Sequence, residues 1–174
     1  YAGHSFHTSR WDYEYTGGDA SGGLDRLHDK VVGIIGTGAT AVQCVPHLGA
    51  GAKELYVFQR TPAFSMPSGN RPVDSEYERD WKAHYPERRK QMLETYGASL
   101  VKYPTVSALE CTKEEQERIL EAAWHSRSAF QLLVCFTDVL TDMAANEVVC
   151  DFVRRKIRQI VKDPQTAERL CPTT

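Results

Sequence analysis

The 174-residue chain has no apolar run near the roughly 20 residues that cross a bilayer, and its charges nearly cancel, at a formal net charge of -2. The first absence argues against a membrane-spanning protein. The second gives no electrostatic case for binding nucleic acid or an anionic membrane surface. The chain begins at Tyr1 without a basic segment followed by an apolar one, so no targeting signal is visible. Its 41% hydrophobic and 25% charged residues are typical of a globular protein.

The cysteines of the chain show no pattern typical of a disulfide framework. The five cysteines are odd in number, widely spaced and include no Cys-x-x-Cys pair. We therefore expect reduced thiols in a cytoplasmic protein, and neither a disulfide scaffold nor a zinc site. The other histidines and carboxylates show no spacing typical of a metal site or an acid–base pair. No metal ligand and no catalytic residue is therefore assigned within the chain.

Residues 30–61 predict a dinucleotide-binding βαβ unit. A β-branched run at 30–35 suits a strand buried on both faces of a parallel sheet, and a helical pattern and a second strand candidate at 54–59 follow. This order of strand, turn, helix and strand is the context that a Rossmann fingerprint requires. The turn after the first strand has the pattern G-x-G-x-x-A, formed by Gly36, Thr37, Gly38, Ala39, Thr40 and Ala41.

Each small residue of this turn is expected to have a structural role. Gly36 permits the tight turn, Gly38 lets the backbone approach a pyrophosphate, and Ala41 still allows the helix to pack closely on the strand. The pyrophosphate would lie at the helix N-terminus, where unpaired N–H groups and the helix dipole favour negative charge. The alternative is an ordinary glycine turn without a ligand, which the flanking strands disfavour.

The end of the second strand candidate indicates which nicotinamide cofactor is preferred. An NAD site usually places Asp or Glu there, to accept a hydrogen bond from the ribose 2′-hydroxyl. Here the positions hold Gln59, Arg60 and Thr61, with no carboxylate. The Arg60 guanidinium offers two charge-assisted donors to a 2′-phosphate, and Thr61 can add a hydroxyl donor. The alternative for Arg60 is a solvated strand-end charge, but in this context the sequence predicts NADPH.

The rest of the chain is predicted to be mainly helical. Glycine-rich turns at 13–29 connect to the first strand, and prolines indicate an extended loop at 62–74. The helices are predicted from periodicity and from their start signals. They are placed at 75–96, after the capping box of Thr112 and Glu115, at 129–142, at 146–162, and from Asp163-Pro164 to Leu170.

After residue 61 the sequence offers only two candidates for further strands. They lie at positions 101–103 and 132–134, and both are poor. A doubly wound sheet needs more than two strands to be stable. The sheet is therefore expected to be incomplete, with further strands supplied by sequence outside this chain or by a partner.

The opening twelve residues carry a second pattern. Gly3, His7, Thr8, Trp11 and Asp12 match the motif F-x-G-x-x-x-H-T-x-x-W-P/D, with tyrosine in place of the leading phenylalanine. The segment resembles the fingerprint of the Baeyer–Villiger monooxygenases. The related N-oxidising flavin monooxygenases usually carry His-Ser without this tryptophan. The similarity covers nearly the whole chain. The subgroup of phenylacetone and steroid monooxygenases is resembled by the glycine turn through Gln43, by residues 58–61 and by the C-terminal residues 155–170.

The resemblance implies an enzyme that holds FAD in one Rossmann domain and NADPH in a second. NADPH reduces the flavin, and one oxygen atom of O2 is then inserted next to the carbonyl of a small ketone to give an ester or lactone. It implies cofactor contacts from the glycine turn, Gln43, Arg60 and Thr61, and a conformational role for the fingerprint residues. The alternatives are a fragment of an N- or S-oxidising flavin monooxygenase and a non-enzymatic helical interaction module.

The resemblance also implies the domain organisation. The expected fold is α/β, a Rossmann-type βαβ dinucleotide-binding unit with an incomplete parallel sheet and a large helical insertion. The expected divisions are an interdomain linker with the fingerprint at 1–29, the NADPH-binding unit at 30–73 and the helical insertion at 74–174. The family's FAD-binding glycine motif and its catalytic arginine, in a Lys-Arg pair, do not occur in the 174 residues. We therefore expect an internal fragment that does not catalyse oxygenation alone.

Overall fold

The computed structural model describes residues 1–69, 72–101 and 103–173. Two compact units are formed, Tyr1–Ala63 with Arg169–Thr173, and Phe64–Glu168. Within the described residues, no helix combines the length and apolar character needed to cross a bilayer.

The first unit contains the βαβ segment. Its elements are a 3₁₀ turn at Thr8–Arg10, helix α1 at Tyr13–Thr16, strand β1 at Val31–Ile35, helix α2 at Ala39–Gly51 and strand β2 at Glu54–Phe58. The two strands pair in parallel, with a register that runs from Val31 beside Glu54 to Ile35 beside Phe58. This arrangement confirms the expected α/β class and its Rossmann-type βαβ unit.

A small apolar core holds helix α2 against the sheet and the glycine-rich connector. Leu27 is 2% exposed, and the other members of this core are Leu24, Ile34, Ala41 and Leu48. Glycines in the connector take positive φ angles, +71° at Gly17 and +122° at Gly22, which the absence of a Cβ makes accessible. The turns predicted for residues 13–29 are thus present.

The sheet is incomplete among the described residues, as expected. It has two strands, and large apolar side chains on them remain open: Ile35 is 89% exposed and Phe58 58% exposed. The strand candidate at 132–134 is wrong, because Leu132 and Leu133 end a helix. Of the candidate at 101–103, Val101 and Tyr103 form no strand, and residue 102 lies outside the described residues.

The second unit is helical. Its elements are helix α3 at Ser75–Ala83, α4 at Tyr85–Leu93, a 3₁₀ turn at Tyr96–Ala98, α5 at Lys113–His125, α6 at Ala129–Leu133 and α7 at Met143–Ile160. Helix α8 at Pro164–Leu170 then leads the chain back to the first unit. The extended loop predicted at 62–74 contains no helix or strand where it is described, while residues 70 and 71 lie outside the described residues.

Three helix predictions need correction in their bounds. The helix expected at 75–96 is divided at His84, whose φ of -111° and ψ of 21° leave the helical region, and Pro86 opens the new helix. The helix expected at 129–142 ends at Leu133. The helix expected at 146–162 begins earlier, because the Asp142 carboxylate accepts hydrogen bonds from the N–H groups of Ala144 (2.8 Å) and Ala145 (3.1 Å).

The capping predictions are confirmed. The Glu115 N–H donates to Thr112 Oγ1 at 3.2 Å, and the Thr112 N–H donates to Glu115 Oε2 at 2.8 Å, which completes the capping box of α5. At the start of α8, the Thr166 N–H donates to Asp163 Oδ2 at 2.7 Å. Local signals in the sequence therefore place both helix starts.

Helices α5 and α7 pack through an aromatic core. Phe152 is fully buried and meets the Trp124 ring edge-on at 6.0 Å between ring centroids. Around this core, Arg155 makes two hydrogen bonds to Glu117 (2.7 and 3.2 Å), and Lys156 donates to Glu121 at 2.5 Å. The buried rings supply most of the packing energy, because ion pairs at partly exposed positions contribute little.

Asp138 holds the loop at residues 107–109, which lies about thirty positions earlier in the sequence. Its carboxylate accepts hydrogen bonds from Ser107 Oγ (2.5 Å) and from the N–H groups of Ala108 (2.8 Å) and Leu109 (3.4 Å). Burial alone raises the pKa of this carboxyl, but the hydrogen bonds outweigh it, so the pKa lies below its ordinary value of 3.8.

The lowered pKa gives Asp138 a pH-dependent contribution to stability. The contribution is fully present above pH 3.8 and is lost as the pH falls through the lowered pKa of the folded state. We expect Asp138→Asn to destabilise the helical unit by about 1–2 kcal/mol at pH 7, and the difference from wild type to vanish in acid. Urea unfolding from pH 7 to pH 2, with the exposed Glu87→Gln as control, measures this. A difference that is constant with pH would contradict it.

Candidate cofactor-binding site

The glycine turn joins the carboxyl end of β1 to the start of α2. Gly36 has a φ of +99°, in the region that side chains disfavour, and its N–H donates to the Phe58 carbonyl at 2.8 Å. This bond continues the pairing of the two parallel strands one residue beyond the sheet. Gly36 is therefore required by the backbone itself.

Gly38 differs, because nothing in the chain requires a glycine there. It is the N-cap of α2, with a φ of -74° and a ψ of -175° that any residue can adopt. A Cβ atom built on Gly38 would meet no described atom within 4 Å. The backbone at this point thus borders open space, as a group that approaches the main chain closely would need.

The first turn of α2 presents unsatisfied donors to the same space. Gly38 supplies no side-chain cap, and the first N–H groups of a helix have no acceptor within it. Ala39 and Thr40 are exposed, whereas Ala41 is 7% exposed and belongs to the core, which is the packing role expected of it. The Gln43 amide donates to the Ala39 carbonyl at 3.0 Å, so its side chain lies along this turn.

The segment after β2 lies beside the glycine turn. Thr37 Oγ1 donates to the Thr61 carbonyl at 3.4 Å, a long hydrogen bond that joins the two chain segments. The Arg60 side chain is exposed and forms no hydrogen bond or ion pair within the part of the chain that the structure describes. An arginine with an exposed side chain therefore follows β2 at the end of the sheet where Gly36 and Gly38 follow β1.

Trp11 links the opening segment to the core beneath this turn. The indole packs against the core that contains Ile34 and Ala41, and its Nε1–H donates to Thr16 Oγ1 at 3.0 Å. Thr16 is 1% exposed, and its hydroxyl donates in turn to backbone carbonyl oxygen at Asp12. A partly buried indole N–H needs such an acceptor, so Thr16 fixes the orientation of Trp11.

Asp12 organises the polar side of the same segment. Its carboxylate accepts the Tyr15 N–H at 3.0 Å as the N-cap of α1, and it pairs with His4 Nε2 at 2.9 Å. The Tyr15 N–H and then His4 hold the pKa of Asp12 below its ordinary value. The His4 ring also stacks on Tyr15, with 3.9 Å between ring centroids.

The remaining fingerprint residues make local contacts. His7 Nδ1 accepts the Ser9 N–H at 3.2 Å and caps the 3₁₀ turn that contains Thr8. Gly3 lies against the Tyr1 ring, where a side chain would require the tyrosine to move. The structure therefore brings Trp11 to the core of the βαβ unit, while His7, Thr8 and Gly3 shape the loop itself.

Sequence reasoning did not find three residues that shape this region. Thr16 holds Trp11, His4 holds Asp12, and Gln59 donates from its amide to the Arg169 carbonyl at 2.7 Å. The partly buried tryptophan signalled that some acceptor was needed, but not which one. No periodic pattern connects positions 59 and 169.

Comparisons with known proteins show which family this chain is similar to. No family model matches the chain. It is 68% identical over 74 residues to neopentalenolactone D synthase of Streptomyces avermitilis, a match that covers 42% of this chain and 12% of that protein. It is 38% identical over 177 residues to a Baeyer–Villiger monooxygenase of Stachybotrys chlorohalonatus, covering 99% of this chain and 27% of that protein.

The fold of the chain is similar to that of a solved structure. The crystal structure of OTEMO in complex with FAD and NADP matches with a TM-score of 0.87 at 36% identity, over 99% of this chain and 32% of that one. The sequence and structure matches together confirm the family that the opening segment and the glycine turn indicated. The chain belongs to the Baeyer–Villiger monooxygenase family and spans less than a third of the length of these relatives.

Proposed function

We propose that this chain is the NADPH-binding portion of an FAD-dependent monooxygenase that converts a ketone to an ester or lactone with O2. The observation that carries the proposal is the open space at Gly38, at the N-terminus of α2. It is supported by Arg60, which follows β2, is exposed and has no partner among the described residues. The relatives that are named as Baeyer–Villiger or cyclohexanone monooxygenases support this reaction over an N- or S-oxidising enzyme and over a non-enzymatic helical module. Oxygenation requires the intact protein, because the FAD motif and the catalytic Lys-Arg pair do not occur in these 174 residues.

The residues present fit a 2′-phosphorylated dinucleotide. The space at Gly38 and the N–H groups of α2 suit a pyrophosphate, whose negative charge the helix N-terminus stabilises. The Arg60 guanidinium suits the 2′-phosphate, and no carboxylate follows β2 to repel it. Bound NADPH supplies the hydride that reduces the flavin. The other cofactor contacts that we assign are Gly36, Thr37, Ala39, Thr40, Ala41, Gln43 and Thr61.

The opening segment is assigned a supporting role. Trp11 rests on the core beneath the glycine turn, and Asp12 caps α1, so a displacement of either would reach the cofactor site through packed side chains. We therefore assign Gly3, His7, Thr8, Trp11 and Asp12 a conformational function. The divisions 1–29, 30–73 and 74–174, as linker, NADPH-binding unit and helical insertion, remain part of the proposal.

The substitution Gly38→Ala tests the assignment of the open space. The added Cβ meets no described atom of the chain, and the loss of unfolded-state entropy opposes the preference of an N-cap for glycine over alanine, so the melting temperature should change little. The methyl group would nevertheless occupy the pyrophosphate space, and we expect the Kd of both NADPH and NADH to rise about 10-fold or more. Titration calorimetry on the intact protein, with differential scanning calorimetry alongside, measures both quantities.

The matched control is Gly49→Ala in the same helix. There the added Cβ meets Leu55 Cδ2 at 3.8 Å, an ordinary contact, and alanine favours the helix. We expect unchanged binding of both cofactors in this variant. Unaltered cofactor affinity in Gly38→Ala would remove the proposed site.

A further inference from the structure

The residues that follow β2 are not fixed by the sheet. The last strand pair is Ile35 with Phe58, and the Phe58 carbonyl is taken by the Gly36 N–H. Residues 59–61 continue beyond this point in irregular conformation. Their position must therefore be set by contacts other than the strand ladder.

Gln59 supplies the stronger of two such contacts. Its Nε2–H donates to the Arg169 carbonyl at 2.7 Å, across 110 positions of the sequence. The acceptor lies on the return segment Arg169–Thr173, in which Cys171 is 7% exposed and Pro172 is fully buried. The amide of Gln59 is thus attached to an anchored piece of backbone.

Thr61 supplies the second contact. Its carbonyl accepts from Thr37 Oγ1 at 3.4 Å, near the limit of a hydrogen bond. Arg60 stands between the two attached residues, exposed and without a partner among the described residues. The placement of the guanidinium along this edge therefore depends mainly on the Gln59 amide.

We propose that Gln59 is a positioning residue that sets the preference for a 2′-phosphorylated cofactor by fixing the backbone that carries Arg60, an inference that rests on the proposed function. A guanidinium binds a phosphate through two parallel hydrogen bonds, which require a defined position and orientation. A carrier segment that must first be ordered loses part of that binding energy. The hydrogen bond to the Arg169 carbonyl thereby contributes to the preference that Arg60 provides.

The substitution Gln59→Met tests this, because methionine keeps the length of the side chain and removes the donor. We expect the Kd of NADPH to rise about 2- to 10-fold, as for the loss of one neutral hydrogen bond, and the Kd of NADH to stay the same. A role that is merely structural would weaken both cofactors equally. Gln59→Ser, which is short and polar, is the second variant if the methionine variant does not fold.

The control is Gln116→Met. Gln116 makes a bond of the same kind and length, from its Nε2–H to the Ala108 carbonyl at 2.7 Å, within the helical unit. We expect this variant to lose stability but to keep the ratio of the two dissociation constants.

A double variant separates the possible failures. In Arg60→Ala/Gln59→Met, the ratio of the two dissociation constants should equal that of Arg60→Ala alone, because the Gln59 hydrogen bond acts through the Arg60 guanidinium. If Gln59→Met leaves the ratio unchanged while Arg60→Ala abolishes the preference, the inference is overturned and the proposed function stands. If Arg60→Ala has no effect on the ratio, the NADPH assignment is wrong, and the inference about Gln59 is then wrong as well.

Discussion

Replacing Arg60 with alanine should raise the Kd of NADPH roughly 10- to 100-fold and leave the Kd of NADH unchanged. The physical reason is that the guanidinium has no partner in the described structure, so its removal costs the chain no internal contact. The loss therefore falls on the cofactor that carries a 2′-phosphate. Because the bond is between opposite charges, wild-type NADPH affinity should also fall with salt more steeply than that of the variant.

Two further variants make this result specific. Arg60→Lys keeps the charge but not the paired donors, and we expect an intermediate loss of NADPH affinity. Arg26→Ala removes an exposed arginine from the glycine-rich connector of the same unit, where its side chain donates to the Glu14 carbonyl. This variant should not alter the ratio of the NADPH and NADH dissociation constants. Calorimetric titration of both cofactors provides the values. A wild-type protein that binds NADH as tightly as NADPH would contradict the assignment before any variant is made.

The largest effect on stability is expected at Phe152. Its side chain is fully buried between α5 and α7 and lies 6.0 Å from the Trp124 ring, so Phe152→Ala leaves a cavity lined by atoms that cannot close it. We expect a loss of about 3–5 kcal/mol in the free energy of unfolding of the helical unit, and a smaller loss for Phe152→Leu. Urea titration followed by the fluorescence of Trp124, in a background in which Trp11 and Trp81 are replaced by phenylalanine, reports on this core.

The control for this prediction is on the same helix. Met143 begins α7 and is 81% exposed, so Met143→Ala should change the stability by less than about 0.5 kcal/mol. Hydrogen exchange at the amides of α5 and α7 should accelerate in Phe152→Ala, while the amides of β1 and β2 keep their protection. A loss below about 1 kcal/mol would mean that the ring is not a principal support of this unit.

The βαβ unit could be predicted from the sequence because its signals are local. The β-branched run, the glycine turn and the second strand stand within 32 consecutive residues, and the parallel register follows from their order. The capping box at Thr112 was predictable for the same reason, since both of its hydrogen bonds join residues three positions apart. The positions of Gly36, Gly38 and Arg60 at one sheet edge follow from parallel strands alone.

One error arises where distant residues decide the local structure, whereas the break in the helix expected at 75–96 lies at a local signal, Pro86. The pattern at 129–142 is compatible with one helix, but the chain leaves the helix after Leu133, and Asp138 binds a loop thirty residues earlier in the sequence. Likewise, the contacts of Gln59 with Arg169 and of Trp11 with Thr16 depend on tertiary packing rather than on periodicity. Sequence patterns describe the face that a residue occupies, and they do not identify its partner across the fold.

The two glycines of the turn are under different constraints, and this should be visible in how the family diverges. Position 36 must remain glycine in any descendant that keeps the fold, because its φ of +99° is needed whether or not a dinucleotide is bound. Position 38 is free of that demand. A lineage that retains the architecture but abandons redox chemistry should therefore accumulate alanine or serine at 38 first. That single position would then indicate whether the turn still binds a dinucleotide.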